Sequence, residues 1–315
     1  MSHIFDALQR SEAERSGVEF DACDLPTELL QIAESAAKAR LAIPEEAAPV
    51  SAADAQTPAG SVNAEPLQDE IAAGTVISGE FESLPVSLMP HGKLVSVTQK
   101  ESLAAEKFRF LAVRLRHMQQ RRQLKKVLIT STVPEEGKST VAANLACTLA
   151  GRRQQKTLLV EGDLRRPTLQ REFGLGRIPG LGDYLLGTTT RLPVYRLEAL
   201  GIWIMPAGKP LENPLELIQS PKLATLLDQV GALFDWVVID SPPVLPLADT
   251  SIWMRMADGI LLVARQGTTD RDQLKRGLEA IESAKLLGAL LNSSSNAAHS
   301  DYYQRYGPPG KTAGQ

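Results

Sequence analysis

Past Lys126 the chain alternates short, unbroken apolar runs with segments of helical period. Six runs read as strands: Val127–Thr130, Leu158–Val160, Ile202–Met205, Val237–Ile239, Ile260–Val263 and Leu286–Leu291. Runs that do not alternate with polar residues suit strands buried on both faces. Helical segments between them imply βαβ units with right-handed crossovers, hence an α/β fold: a parallel sheet with helices on both sides.

The first run is followed by Thr130-Ser-Thr-Val-Pro-Glu-Glu-Gly-Lys-Ser-Thr140, and then by a helix carried by Val141, Ala142, Leu145 and Leu149 that ends at Gly151. A strand, a loop and a helix N-terminus in that order make an anion site, because the first turn of a helix offers unpaired N–H groups and the positive end of its dipole. Gly137 lets backbone approach a phosphate, Lys138 can reach β and γ oxygens, and the Ser139 hydroxyl can ligate Mg²⁺. Pro134, Glu135, Glu136 and Thr140 complete the expected nucleotide-binding loop, and Thr132 stands where a first glycine is usual.

Two other strands end in carboxylates. Glu161-Gly-Asp163-Leu-Arg165-Arg166 follows the second run and Asp240-Ser-Pro-Pro follows the fourth. In a parallel sheet all strand C-termini share one edge, where ligands bind. Asp163 and Asp240 are therefore expected to hold Mg²⁺ with Ser139, and Glu161 to orient or deprotonate a nucleophile. Lys138, Glu161, Asp163 and Asp240 form the expected catalytic set. Asn292, at the end of the last strand, is expected to read the base.

The rest of the chain carries less chemistry. No Lys or Arg lies between Arg40 and Lys93, and the segment is rich in Ala, Pro, Glu and Ser, so residues 42–94 read as a flexible acidic linker. Before it, residues 1–41 carry two short helical patterns, one striped by Ile4, Phe5 and Leu8 and one over Pro26–Leu41, readable equally as docking elements or weakly ordered terminus. Residues 95–298 form the expected catalytic domain. It opens with an amphipathic helix from Ser102, with Phe108, Leu111, Ala112 and Leu115 on one face. No acid lies between Glu106 and Glu135, while Lys107, Arg109, Arg114, Arg116, Arg121, Arg122, Lys125 and Lys126 do: an anion- or partner-facing strip, or a solvated face.

A net charge of −3 argues against bulk nucleic-acid binding, and Cys23 and Cys147 suggest neither a disulfide framework nor a metal site. Without a signal-like start or an apolar span of about 20 residues, the expectation is a soluble cytoplasmic protein.

Taken together, the loop Thr-Ser-x-x-Pro-x-Glu-Gly-Lys-Ser, the motif Glu161-x-Asp163-x-Arg165 and the apolar-Asp240-x-Pro motif resemble those of the bacterial tyrosine kinases over residues 95–306. The resemblance implies a P-loop fold of the deviant Walker A, MinD/ParA-like type, and Mg-ATP-dependent autophosphorylation on a C-terminal tyrosine cluster. Tyr302, Tyr303 and Tyr306 supply that cluster on a flexible tail over 299–315. It further implies a role in capsule or exopolysaccharide production, assembly into a homo-oligomeric ring, and a cognate tyrosine phosphatase. A membrane polysaccharide co-polymerase is expected to activate the kinase and hold it at the inner membrane. The sequence departs from the family at Glu161, where Asp is usual, and at Ala112, where the Glu106-x-x-Arg109-x-x-Arg oligomer motif has its second arginine. A MinD/ParA-like regulatory ATPase, or an ATP-binding partner without phosphoryl transfer, are the alternatives. Val133 stands where those ATPases carry a signature lysine, which favours the kinase.

Overall fold

The computed structural model describes residues 81–87, 93–151 and 155–293. The helical patterns expected over 1–41, most of the 42–94 linker, and the tail with Tyr302, Tyr303 and Tyr306 lie outside the described residues. Strand β1 is Glu82–Ser83, and two helices follow, α1 (Val95–Thr98) and α2 (Leu103–Gln119). Next come β2 (Lys126–Ser131), α3 (Lys138–Ala150), β3 (Thr157–Glu161) and two short helices, α4 (Leu169–Glu172) and α5 (Leu181–Leu185). The remainder is β4 (Tyr195–Leu197), β5 (Ile202–Met205), α6 (Leu215–Ile218), α7 (Pro221–Leu233), β6 (Trp236–Asp240), α8 (Asp249–Met256), β7 (Gly259–Arg265), α9 (Arg271–Glu279) and β8 (Leu286–Asn292).

The strands form one sheet in the order β1-β4-β5-β3-β6-β2-β7-β8. All six apolar runs are strands, and they pair in parallel from β5 to β8. Val127, Ile129, Leu159, Val238 and Ile204 pack in one cluster with Leu145 and Leu149 of α3 and Ala112 and Leu115 of α2. Their neighbours Leu128, Leu158, Val160, Val237 and Ile239 are equally buried, toward the side where α7, α8 and α9 contact β6, β2 and β7. Two faces are covered, so the runs need no polar alternation.

Two strands were not legible. β4 runs antiparallel to β5, and β1 pairs with β4. Residues 81–87 fall in the expected linker, yet Phe81 stacks on Phe234 at 6.0 Å, Leu84 N–H donates to Arg196 O at 2.9 Å, and Leu84 and Val86 pack on the core. Leu94 is buried as well. These apolar residues are diluted in an acidic stretch, and composition averaged over the stretch hides them.

Helix α2 begins where expected: the Ser102 hydroxyl accepts from Ala105 N–H at 3.2 Å. Much of the basic strip is occupied by the fold. Arg109 is bound to Glu106 and donates to Lys100 O at 2.7 Å, Arg116 donates to Leu149 O at 2.8 Å, and Arg122 to Ala284 O at 3.2 Å. Lys126 pairs with Asp228 at 3.0 Å. Ala112 is fully buried in the core cluster. No described helix is long and apolar enough to cross a membrane.

Candidate functional site at the strand C-termini

The parallel register brings the ends of β2, β3 and β6 side by side, with Ile129 opposite Asp240 and Glu161 opposite Asp240 on the other flank. The chain leaves β2 and turns into α3 through Glu135 and Gly137, whose φ angles of +67° and +89° lie in the left-handed region. Gly137 is the N-cap of α3 and offers no side chain to its first N–H groups, so the helix start is open to an anion.

Lys138, the first residue of α3, reaches across this edge. Its Nζ lies 3.1 Å from Asp163 Oδ2, 3.8 Å from Asp240 Oδ1 and 3.4 Å from the neighbouring Ser139 Oγ. Burial works to lower the pKa of its ammonium, but the charges of Asp240 and Asp163 outweigh it and hold the group above its ordinary value. Asp163 also accepts from Arg166 N–H at 3.0 Å, which fixes its turn. Asp240 is only 1% exposed, and among the described residues neither of its carboxylate oxygens has a well-formed hydrogen bond, with Ser139 and Lys138 its polar neighbours. Burial pushes its pKa up, against the opposing pull of Lys138.

Lys138, Ser139, Asp163 and Asp240 are thus brought together. Pro134 and Glu135 are exposed on the same loop, and Thr140 lies in the first turn of α3, its carbonyl accepting from Asn144 Nδ2 at 2.8 Å. What the side chains touch corrects one expectation, for Glu161, and adds detail to two others. Glu161 does not face the edge: its Oε1 accepts from Thr168 and Leu169 N–H, both at 2.6 Å, and its Oε2 from Ala207 N–H at 3.0 Å. It is fully buried, and burial pushes its pKa up to about 7 despite these bonds. The extra methylene relative to aspartate lets this carboxylate reach three backbone amides, so it clamps the loops after β3 and β5. Asn292, the residue expected to read a base, donates one amide hydrogen to Glu136 O at 2.9 Å, which ties the end of β8 to the phosphate loop. Gly137 sits at φ +89°, where any side chain is strained, and a Cβ there would also lie 2.2 Å from Asn292 Nδ2. Glu136 turns its carboxylate under the loop, away from the helix N-terminus: it accepts from Thr132 Oγ1 at 2.8 Å and from Val133 N–H at 2.9 Å. Thr132, standing where a first glycine was expected, thus has a buried partner for its hydroxyl.

Other residues were not anticipated. Asp249, first in α8, binds Arg165 through both oxygens at 2.6 and 3.1 Å, a fork that ties the turn after β3 to the loop after β6. The arginine of the Glu161-x-Asp163-x-Arg165 motif was the available signal, since such a group needs a carboxylate. Trp253, fully buried, lies against Gly162 between the two acidic turns, which nothing in the sequence marks. A cavity of about 460 Å³ lined by Lys126, Asp228, Arg255, Asp258 and Lys285 lies where the strands begin and shares no residue with this edge.

The arrangement can bind a phosphate chain along a helix start, with one lysine and two carboxylates around its end. Asp240 gives the test of metal fit: a buried carboxylate with no well-formed hydrogen bond among the described residues is costly to leave so, and oxygen ligands suit Mg²⁺. The residues present fit that ion.

No protein-family model matches the chain. It is 35% identical over 212 residues to tyrosine-protein kinase YwqD of Bacillus subtilis, covering 66% of this chain and 89% of that protein. Identity to the putative tyrosine-protein kinase CapB of Staphylococcus aureus is 33% over 212 residues, with 66% of this chain and 92% of the relative covered. Among solved structures, the chimerical protein CapA2B2 superposes with a TM-score of 0.61 at 32% identity, over 67% of this chain and 92% of the other. With most of each relative's length matched, and with the phosphate loop and both acidic motifs meeting at one edge of the expected sheet, the chain belongs to the bacterial tyrosine-protein kinases.

Proposed function

We propose that this kinase is a Mg-ATP-dependent autokinase that transfers the γ-phosphate to tyrosines of its C-terminal segment in support of capsule or exopolysaccharide production. The observation that carries the reading is the meeting of Lys138, Asp163 and Asp240, within 3.1 and 3.8 Å, at the open N-terminus of α3. The loop amides and helix start bind the β- and γ-phosphates, and Lys138 fixes the transferring group. Asp240, Asp163 and Ser139 would hold the metal. Bound Mg²⁺ would neutralise the charge that gathers on the phosphate oxygens. A tyrosine hydroxyl, with a pKa of about 10, needs a carboxylate to take its proton. With Glu161 committed to three amides, Asp163, nearest the rim of the three acids at 5% exposure, takes that role.

The acceptors in this reading are Tyr302, Tyr303 and Tyr306, three of five tyrosines in the chain. Of the other two, Tyr195 is 8% exposed and its hydroxyl donates to Pro179 O at 3.0 Å, and the Tyr184 ring lies 4.4 Å beneath Lys222 Nζ. The likeness to a chimerical CapA2B2 protein supports a second polypeptide as working partner. We assign that role to a membrane co-polymerase, which would activate the kinase and hold it on the cytoplasmic side of the membrane. A ring of copies and a tyrosine phosphatase complete the proposal.

The test is phosphotyrosine formation by the full chain with Mg-ATP. Lys138→Met should abolish labelling. Tyr302, Tyr303 and Tyr306 changed together to Phe should remove most label while ATP binding persists. No phosphotyrosine from the wild-type chain, even with the partner's cytoplasmic segment supplied, would reduce the protein to an ATP-binding subunit.

A further inference from the structure

The phosphate loop does not hold its own shape. Glu135 is a non-glycine residue in the left-handed region, a conformation unfavourable for side chains that persists only where surroundings enforce it. The surroundings come from the far end of the sheet order, from β7, β8 and the turn into α9. Arg265, last in β7, donates to Glu135 O at 3.3 Å, and Asn292, last in β8, donates to Glu136 O at 2.9 Å.

Beneath the loop, Glu136 is fully buried, and among the described residues no lysine or arginine pairs with it. Its carboxylate is satisfied by three donors: Thr132 Oγ1, Val133 N–H and Thr269 Oγ1. Thr269 belongs to the turn between β7 and α9, 133 residues away in sequence. Its hydroxyl oxygen also accepts from Arg265 N–H at 2.8 Å, so its proton is committed to Glu136 and the bond has one polarity. Gly277 of α9 allows this approach, since a Cβ there would fall 2.2 Å from Thr132 Cγ2.

We propose that Glu136 and Thr269 are a positioning pair that sets the phosphate loop for nucleotide, which makes the β7–α9 turn part of the ATP site although it supplies no group to the phosphates. The proposal rests on the ATP-binding function given above. Thr269 acts through Glu136 on the loop backbone, so its loss should weaken the capture of nucleotide more than the transfer step, in which Lys138 and the two aspartates act.

The test compares Thr269→Val, which keeps the shape and removes the hydroxyl, with Thr269→Ser, which keeps the hydroxyl. Mg-ATP binding to the full chain is measured by titration calorimetry, and KM and kcat by phosphotyrosine formation. Loss of one hydrogen bond to a buried charged group should raise Kd and KM for ATP about tenfold in Thr269→Val, with kcat at saturating ATP changed less than about threefold. Thr269→Ser should return Kd to within about threefold of wild type. Thr269→Ala provides the same deletion without the second methyl should the valine chain melt without a cooperative transition. Wild-type Kd and KM in the hydroxyl-less variants overturn the proposal, as does a serine variant as impaired as the valine one. If wild-type protein binds Mg-ATP while these results hold, the positioning role alone fails; if wild type does not bind Mg-ATP, the function itself falls and the pair with it.

Discussion

Gly162 separates Glu161 from Asp163, and its N–H donates to Asp240 O at 2.7 Å. A Cβ on this residue would lie 2.9 Å from that same carbonyl oxygen and 2.9 and 3.0 Å from Cζ2 and Cε2 of Trp253. Ordinary contact begins at 3.4 Å, so Gly162→Ala forces a separation of about 0.5 Å. Trp253 is fully buried and cannot yield, so the turn after β3 and the end of β6 must part. Those two segments carry Asp163 and Asp240, and both move relative to Lys138. Overpacking of this kind costs about 1–3 kcal/mol. For a domain of this size that lowers Tm by about 2–12 °C. If a 1 Å misplacement of catalytic groups costs about a hundredfold, half that distance costs about tenfold in rate. Calorimetric melting and the initial rate of phosphotyrosine formation are the assays. Gly231→Ala is the control: it lies in α7 with open space around the added methyl, and the change should stabilise by about 0.5–1 kcal/mol. A Gly162→Ala chain that melts within about 1 °C of wild type and labels at the wild-type rate would refute the close approach of the two acidic turns.

Two other outcomes follow from the site. Burial holds the Glu161 pKa near 7, above its ordinary 4.5, so the folded protein keeps that proton more tightly than the unfolded chain. The resulting stability is complete below pH 4.5 and is lost as pH rises through about 7, by at most about 3 kcal/mol. The Tm advantage of wild type over Glu161→Gln should therefore shrink between about pH 5 and 8, and a constant difference across that window counts against it. Arg165→Lys keeps the charge but not the fork on Asp249, and should cost about 1–2 kcal/mol of stability by chemical denaturation. An unchanged midpoint would mean that the fork contributes nothing.

The sheet was legible because its strands are covered on both faces and their sequences show it without interruption. β1 and β4 were not, since two- and three-residue strands leave no periodicity to read. Within the site, spacing identified the elements that end at the edge but not the direction of each side chain. Lys138, Asp163 and Asp240 meet as their motifs suggest. Glu161 and Glu136 look alike in sequence, acids beside a phosphate loop, yet both point inward to backbone amides and hydroxyls. Burial of a carboxylate depends on donors from distant segments, Ala207 in one case and Thr269 in the other, and no local pattern announces them.

Strand β8 runs parallel to β2, so Asn292 finishes beside the phosphate loop. Tyr302 follows ten residues later in the sequence, and ten residues span at most about 36 Å. Any pocket that accepts this tyrosine, in the same molecule or a neighbour, must fall inside that leash.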